Sequence, residues 1–366
     1  MNESTGGRNR PRWLLWAATG TALVVGGVVG GVIVDAMNSP TSATSTTSAS
    51  AAVSACAVTP VADQVVPSVV TISVKNGATG GTGSGEIIRP DGYILTNNHV
   101  IAPAANGGSV EVQFSDGQTA PATITGRDPQ TDLAVIKVQT SRQLKAIALG
   151  SSASAKVGEP VVVIGAPLGL SGTVTSGIVS ALDRTIQVPA ENDTAALLVS
   201  AIQTDAAINP GNSGGAMVNC AGQLLGVPSA GATVPTSSGE SSGGSIGLGF
   251  AIPVDLAKAI ANEIIATGTV THAYFGLGTL PIPPAAAAQA GVPEGLYIQT
   301  VVPDSPAFQA GLRDGDVITS INGEPATSNT QLQELTLTKK PGDTVSITYS
   351  RDGRSATTTV TLGTQP

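Results

Sequence analysis

The chain has 366 residues, 41% of them apolar, 11% charged and 3% aromatic, with 45 glycines and a formal net charge of −8. That length fits two domains plus some chain that builds no core. The glycines keep no three-residue period, which excludes a collagen-like fibre, and the acidic balance argues against nucleic-acid binding, which needs clustered Lys and Arg. The two Cys and two His are not spaced as zinc ligands, and no metal or cofactor is expected.

Residues 13–34 (WLLWAATGTALVVGGVVGGVIV) carry no charge, and a helix of that length spans roughly 30 Å of hydrocarbon. Arg8, Arg10 and Arg12 precede it. By the positive-inside rule, 1–12 is expected as a cytoplasmic tail, 13–34 as a membrane anchor and the rest as exported chain. A cleaved signal peptide is the alternative, but its apolar core is usually shorter, about 7–15 residues. Residues 35–60 contain a Ser/Thr/Ala-rich stretch that cannot bury a core and reads as a tether. Cys56 and Cys220 are both exported, and an oxidising compartment favours a disulfide between them. Closing so long a loop stabilises by up to about 5 kcal/mol in the chain-entropy view.

From residue 61 the pattern is short apolar runs split by turn signals. Val65–Val74 is β-branched and reads as a strand. Ile87-Ile88, Arg89-Pro90-Asp91-Gly92 and Tyr93-Ile94-Leu95 spell a hairpin. Val110, Val112 and Phe114 alternate before an Asp116-Gly117 turn. Strands are also expected at Leu133–Val138, Val161–Ile164, Ile178–Val179 and Leu224–Val227, a pattern of sandwiches and barrels. A helix over 253–267 is marked by Leu256, Ile260 and Ile264 at four-residue spacing, with Gly268 after it.

Gly211-Asn212-Ser213-Gly214-Gly215 is the sharpest chemical feature. A Ser between glycines fits a tight turn whose backbone N–H groups converge on one spot, as a developing oxyanion requires. A nucleophilic Ser needs a base, and His99 follows the first hairpin. His272 lies past the helix and reads as an exposed linker residue. The base needs an orienting carboxylate, and Asp132 opens an apolar strand, where an acid without a partner is costly. Asp128, before Pro129, reads as a turn residue.

The segments GSGEIIRPDGYILTNNHVI, GRDPQTDLAVIKV, VGEPVVVIGAPLGLSGTVTSGIVSALDR, IQTDAAINPGNSGGAMV and GLGFAIP resemble the HtrA/DegP family of chymotrypsin-fold serine proteases. The resemblance runs over roughly 61–364 and keeps the order His, Asp, Ser. It implies a mainly β fold: a chymotrypsin-like pair of six-stranded antiparallel barrels over 61–268, then a small α+β PDZ domain over 270–364. It makes His99 the general base, Asp132 its orienter and Ser213 the nucleophile. Gly211, Asn212 and Ser213 would form the oxyanion hole, through the N–H groups of Gly211 and Ser213. Ala206, Ala207, Ile208, Gly226, Val227 and Pro228 would line a specificity pocket without charge, suited to small or medium apolar residues. Departures from the family pattern are Ala166, Ala216, Pro228, whose missing N–H would remove one substrate contact, and Glu86 in a usually apolar place. Asn212, being neutral, cannot pair with a newly cut N-terminus, so activation by zymogen cleavage is not expected.

In the C-terminal part, strands are expected at Leu296–Val301, Val317–Ile321, Val345–Tyr349 and Thr357–Val360, and a helix over 328–338. DSPAFQAGL and GDVI resemble PDZ domains of the same family. The resemblance implies that Tyr274, Phe275, Gly276 and Leu277 receive a peptide's terminal carboxylate, with Leu277 and Leu332 lining the side-chain pocket. The implied protein is an anchored, exported serine endopeptidase acting on unfolded or damaged polypeptides and regulated by C-terminal peptides at the PDZ domain. A low-turnover chaperone or scaffold and a single-substrate signalling protease are the rivals. The family commonly forms trimers through aromatics near the start of the protease domain, and Val61–Val74 has none.

Overall fold

The computed structural model describes residues 56–166, 172–189, 195–231 and 244–366. The expected cytoplasmic tail, the membrane anchor and nearly all of the tether lie outside the described residues. Among the described residues no helix is long and apolar enough to cross a membrane.

The described chain opens with α1 (Val58–Val65), whose Val61 and Val65 are buried. The β-branched run Val65–Val74 therefore does not form one strand. A 3-10 turn containing Pro67 covers Val66–Ser68, and the strand begins only at Val69. Proline has no N–H for a ladder, so pairing starts beyond it. Residues 58–60, read as tether, form the first turn of the helix.

The first barrel comprises β1 (Val69–Asn76), β2 (Thr79–Ile87), β3 (Tyr93–Thr96), β4 (Ser109–Gln113), β5 (Thr119–Asp128) and β6 (Leu133–Val138), closed in the order β1-β2-β3-β6-β5-β4. The short helix α2 (Asn98–Ile101) follows β3. The alternation of β2 explains the sequence Gly83-Ser84-Gly85-Glu86. A Cβ at Gly83 would lie 2.6 Å from Val100, and one at Gly85 2.6 Å from Ile94 and 2.7 Å from Ile72. Glycine is needed inward because the barrel interior is already full. Ser84 and Glu86 point the other way. The Ser84 hydroxyl donates to Gly211 O at 2.6 Å and accepts from Ala166 N–H at 2.8 Å.

The second barrel comprises β7 (Ala148–Leu149), β8 (Pro160–Gly165), β9 (Thr173–Pro189), β10 (Ala195–Thr204), β11 (Ala216–Val218), β12 (Gln223–Gly231) and β13 (Gly249–Pro253). Six of these close in the order β11-β8-β9-β10-β13-β12, and β7 adds in parallel to β12. Cys56 and Cys220 form a disulfide with their Cα atoms 5.3 Å apart, tying the chain before α1 to the β11–β12 turn. Helix α3 (Val254–Thr267) crosses the seam between the barrels. Its Ala257, Ile260, Ala261 and Ile264 pack with Leu95, Leu133 and Val135 of the first barrel and Leu198, Val227 and Ile252 of the second.

The C-terminal domain contains β14 (Ala273–Tyr274), β15 (Leu277–Ile282), α4 (Pro284–Ala290), β16 (Gly295–Val301), α5 (Pro306–Gln309), β17 (Val317–Ile321), β18 (Glu324–Pro325), α6 (Asn329–Thr338), β19 (Thr344–Arg351), β20 (Arg354–Thr361) and β21 (Gly363–Thr364). Helix α6 starts at a capping box formed by Ser328 and Gln331. It lies against the second barrel. Leu337 packs with Leu197 and Val199, and the Thr185 hydroxyl donates to Glu334 Oε2 at 3.3 Å.

Glu86 departs from this apolar packing. It is wholly buried, and neither carboxylate oxygen has a hydrogen-bond partner among the described residues. Burial holds its pKa well above the ordinary 4.5, and its own backbone N–H offsets little of that. The native state thus keeps a proton that the unfolded chain releases. Stability is undiminished below the unfolded pKa and is lost as pH rises toward the native value. The Tm gap between Glu86→Gln and wild type is expected to widen from about pH 4 to about pH 8. A gap independent of pH would show that Glu86 carries no native proton in that range.

Candidate active site

His99 sits in the first turn after β3, where α2 begins, and its ring is 41% exposed. Asp132 directly precedes β6 and is nearly buried. Its φ is +57°, a conformation that costs a non-glycine residue about 1–3 kcal/mol unless its surroundings hold it. The segment after β3 and strand β12 hold it. Its carbonyl accepts from Asn98 N–H at 3.1 Å and from Asn97 Nδ2 at 2.8 Å. Its carboxylate accepts the backbone N–H of His99 at 3.0 Å and lies 3.0 and 2.9 Å from His99 Nδ1. The Ser229 hydroxyl donates to its Oδ2 at 2.5 Å. A carboxylate only accepts, so the imidazole proton belongs on Nδ1 and leaves Nε2 facing the cleft.

Ser213 follows a turn, Asn209-Pro210-Gly211-Asn212, closed by Asn212 N–H donating to Asn209 O at 3.0 Å. Gly211 has φ +99°, which glycine adopts without steric cost. Ser213 O accepts from Ser84 N–H at 2.9 Å, and Gly214 N–H donates to Pro228 O at 2.9 Å. The loop is thus fastened to both barrels. Among the described residues, the N–H groups of Gly211 and Ser213 donate to no protein acceptor. The side chain of Asn212 is turned inward, with Nδ2 donating to Ala207 O at 3.3 Å.

His99 and Ser213 line one cleft of about 580 Å³. In this arrangement the Ser213 hydroxyl donates to Ser229 O at 3.2 Å. Ser229 therefore touches both Asp132 and Ser213. Sequence reasoning missed it, because it lies in no motif and only the register of β12 brings it beneath the imidazole.

Of the six residues expected around a specificity pocket, Ile208 lines the cleft, beside Asn209, Ser229, Gly231 and Ser245. Ala206 and Val227 are buried in the core. Gly226 faces β13, where a Cβ would meet Ile252 O at 2.9 Å. Ala207 contributes its carbonyl, which Thr175 and Asn212 contact. Pro228 is buried, stands opposite Ala251 of β13 and turns its carbonyl to Gly214 N–H of the nucleophile turn. The lining segment of β12 lies further along, at Ser229 and Gly231. Among the described residues, no Asp, Glu, Lys or Arg lines this cleft. On the other side of His99, Ile186, Val188, Pro189 and Phe250 extend an apolar wall.

Tyr274, Phe275, Gly276, Leu277 and Leu332 share one groove of about 250 Å³ between β15 and α6. Gly276 has φ +77°, and a Cβ there would lie 2.1 Å from Ser305 Cβ. The reading of His272 as an exposed linker residue is overturned. Its side chain is 6% exposed, and its Nε2 lies 2.9 Å from Asp128 Oδ1. Asp128 does close a turn, accepting from Gln130 N–H at 3.2 Å and the Thr131 hydroxyl at 2.5 Å, but it is buried rather than a surface turn residue. Among the described residues, no three of His, Cys, Asp and Glu converge as a metal site.

Comparison with known proteins matches residues 83–227 to a trypsin-like peptidase domain and 269–362 to a PDZ domain. The serine protease PepD of Mycobacterium tuberculosis is 46% identical over 314 residues, covering 84% of this chain and 66% of the relative. The periplasmic serine endoprotease DegP of Salmonella typhimurium is 40% identical over 297 residues, covering 78% of this chain and 59% of the relative. The periplasmic pH-dependent serine endoprotease DegQ of Escherichia coli is 36% identical, covering 84% of this chain and 70% of the relative. The first four curated relatives are longer proteins, of which the match spans 53% to 66%. Among solved structures, the HtrA-type protease AlgW with a decapeptide superposes with a TM-score of 0.67 at 33% identity, covering 84% of this chain and 98% of that one. With its two six-stranded barrels and the domain that follows them, the chain belongs to the HtrA/DegP family of serine proteases, as one trypsin-like peptidase domain and one PDZ domain.

Proposed function

We propose that the chain is an exported serine endopeptidase that cleaves unfolded or damaged polypeptides and responds to C-terminal peptides at its PDZ groove. The observation that carries this reading is the hydrogen-bonded line Ser229–Asp132–His99, ending at a cleft that also holds Ser213 and two N–H groups without protein acceptors. Ser213 attacks a peptide carbonyl as His99 Nε2 takes its proton. Asp132 keeps Nδ1 protonated and stabilises the imidazolium. The N–H groups of Gly211 and Ser213 receive the developing oxyanion. His99 then protonates the leaving amine, and water releases the acyl group by the same steps in reverse.

The Ser213 hydroxyl must first leave Ser229 O. Export is supported by the relatives named periplasmic. Anchoring by 13–34 rests on the sequence, and assembly into a homotrimer on the family resemblance alone.

Casein is expected to be cleaved by residues 35–366 and spared by Ser213→Ala, with cuts after small or medium apolar residues. Cuts only after Lys or Arg would overturn the uncharged pocket, and cleavage surviving in Ser213→Ala would overturn the nucleophile. Ser229→Ala removes a hydrogen bond to a charged acceptor. It is expected to lower kcat roughly 10-fold with little change in KM, read from steady-state hydrolysis of a peptide substrate. Gly276→Ala forces a Cβ into Ser305 and is expected to weaken binding of an apolar C-terminal peptide at least about 10-fold by calorimetry.

A further inference from the structure

The chain has two histidines, and both are paired with an aspartate. His99 pairs with Asp132. His272 pairs with Asp128, the last residue of β5 and four residues before Asp132, across a sequence separation of 144 residues. We infer that His272 is a positioning residue for Asp132: the segment entering the PDZ domain holds the loop that presents the triad's acid. This rests on the protease reading above and adds a residue to it.

The bonds around the loop form a closed circuit. Asp128 accepts from Gln130 N–H and from the Thr131 hydroxyl, which folds the turn. Gln130 Nε2 donates to Gln365 Oε1 at 2.9 Å. Gln365 N–H donates to His272 O at 3.0 Å, and His272 returns to Asp128. Gln130 O also accepts from Leu197 N–H of β10 at 2.9 Å. The turn is therefore held by the linker, the C-terminal tail and the second barrel together. Its next residue is Asp132, at φ +57°. A strained residue keeps its conformation only while its supports are in place. Two other charged groups among the described residues near the linker have partners of their own. Arg127 Nη1 donates to Asn98 Oδ1 at 3.1 Å, and Glu263 of α3 accepts from Thr271 N–H at 2.7 Å.

Removing the imidazole leaves a buried Asp128 carboxylate short of a donor, and such a group relaxes toward water or another partner. The relaxation falls on Thr131 and Asp132, and through them on the His99 Nδ1 hydrogen bond. Substrate contacts lie elsewhere in the cleft, so the loss falls on kcat rather than KM.

The test uses the full-length chain with 15N-labelled histidine. In His272→Ala the one remaining imidazole is that of His99, so its Nδ1 proton resonance is unambiguous. That resonance is expected to move upfield or broaden, and kcat on a peptide substrate to fall roughly 10-fold with KM within about 2-fold, well short of the roughly 10⁴-fold loss that follows when the acid itself is disabled in enzymes of this type. His272→Gln keeps a donor within reach of Asp128 and is expected to restore kcat to within about 3-fold. A lower Tm with an unchanged His99 resonance and unchanged kcat per folded molecule would make the pair a structural fastening only and overturn the inference. If His272→Ala does not fold, His272→Asn against His272→Gln supplies the same comparison, since Asn is one methylene too short. If wild type shows no Ser213-dependent cleavage, the protease reading fails by itself, while the His99 resonance still decides the role of His272.

Discussion

A carboxylate buried between two barrels must be satisfied from both of them, and Asp132 is. The first barrel supplies the backbone N–H and the imidazole of His99 to the carboxylate, and the Asn98 N–H and the Asn97 side-chain amide to the carbonyl of the same residue. The second supplies Ser229. Each bond constrains the others, because Asp132 sits in a left-handed conformation that its neighbours must hold. The imidazole tautomer and the direction of Nε2 follow from how that one group is bound.

The rest of the peptidase domain can be understood as support for this junction. Helix α3 covers the seam with alanine and isoleucine. The inward glycines of β2 let the first barrel close while Ser84 reaches across to the nucleophile turn. The disulfide ties the chain before α1 to the hairpin that follows that turn. Among the described residues, the PDZ domain meets the peptidase domain through α6 on β9 and β10 and through His272 and Gln365 on the turn before Asp132. The second contact is the shorter route to the chemistry.

Much of the arrangement was legible in the residues, for local reasons. Gly-Asn-Ser-Gly-Gly fits a tight turn, and Gly211 and Gly214 take the positive φ that the turn needs. Asp132 at the mouth of an apolar strand demanded a partner. The spacing of Leu256, Ile260 and Ile264 marked α3, and the alternation of Val110, Val112 and Phe114 marked β4. The misses share a cause. Val65–Val74 looked like one strand because its composition is β-branched, yet Pro67 divides it. The family resemblance implies a pocket wall at Gly226, Val227 and Pro228, yet the register of β12 brings Ser229 and Gly231 to the cleft. His272 looked like linker because nothing near it in sequence could pair with it.

By itself, the sequence determined which chemical groups the chain owns, the strand-rich pattern of the first 200 or so folded residues, and the family to which the motifs belong. Local periodicity and turn chemistry act over a few residues, so they survive in a one-dimensional reading. Tertiary structure alone decided which face of β12 meets the cleft, that Ser229 donates to Asp132 and Ser213 donates to Ser229, that Glu86 is buried without a partner, and that His272 closes on Asp128. Each of these depends on contacts between residues far apart in the chain. Such contacts are set by barrel closure and domain packing, which no local pattern encodes.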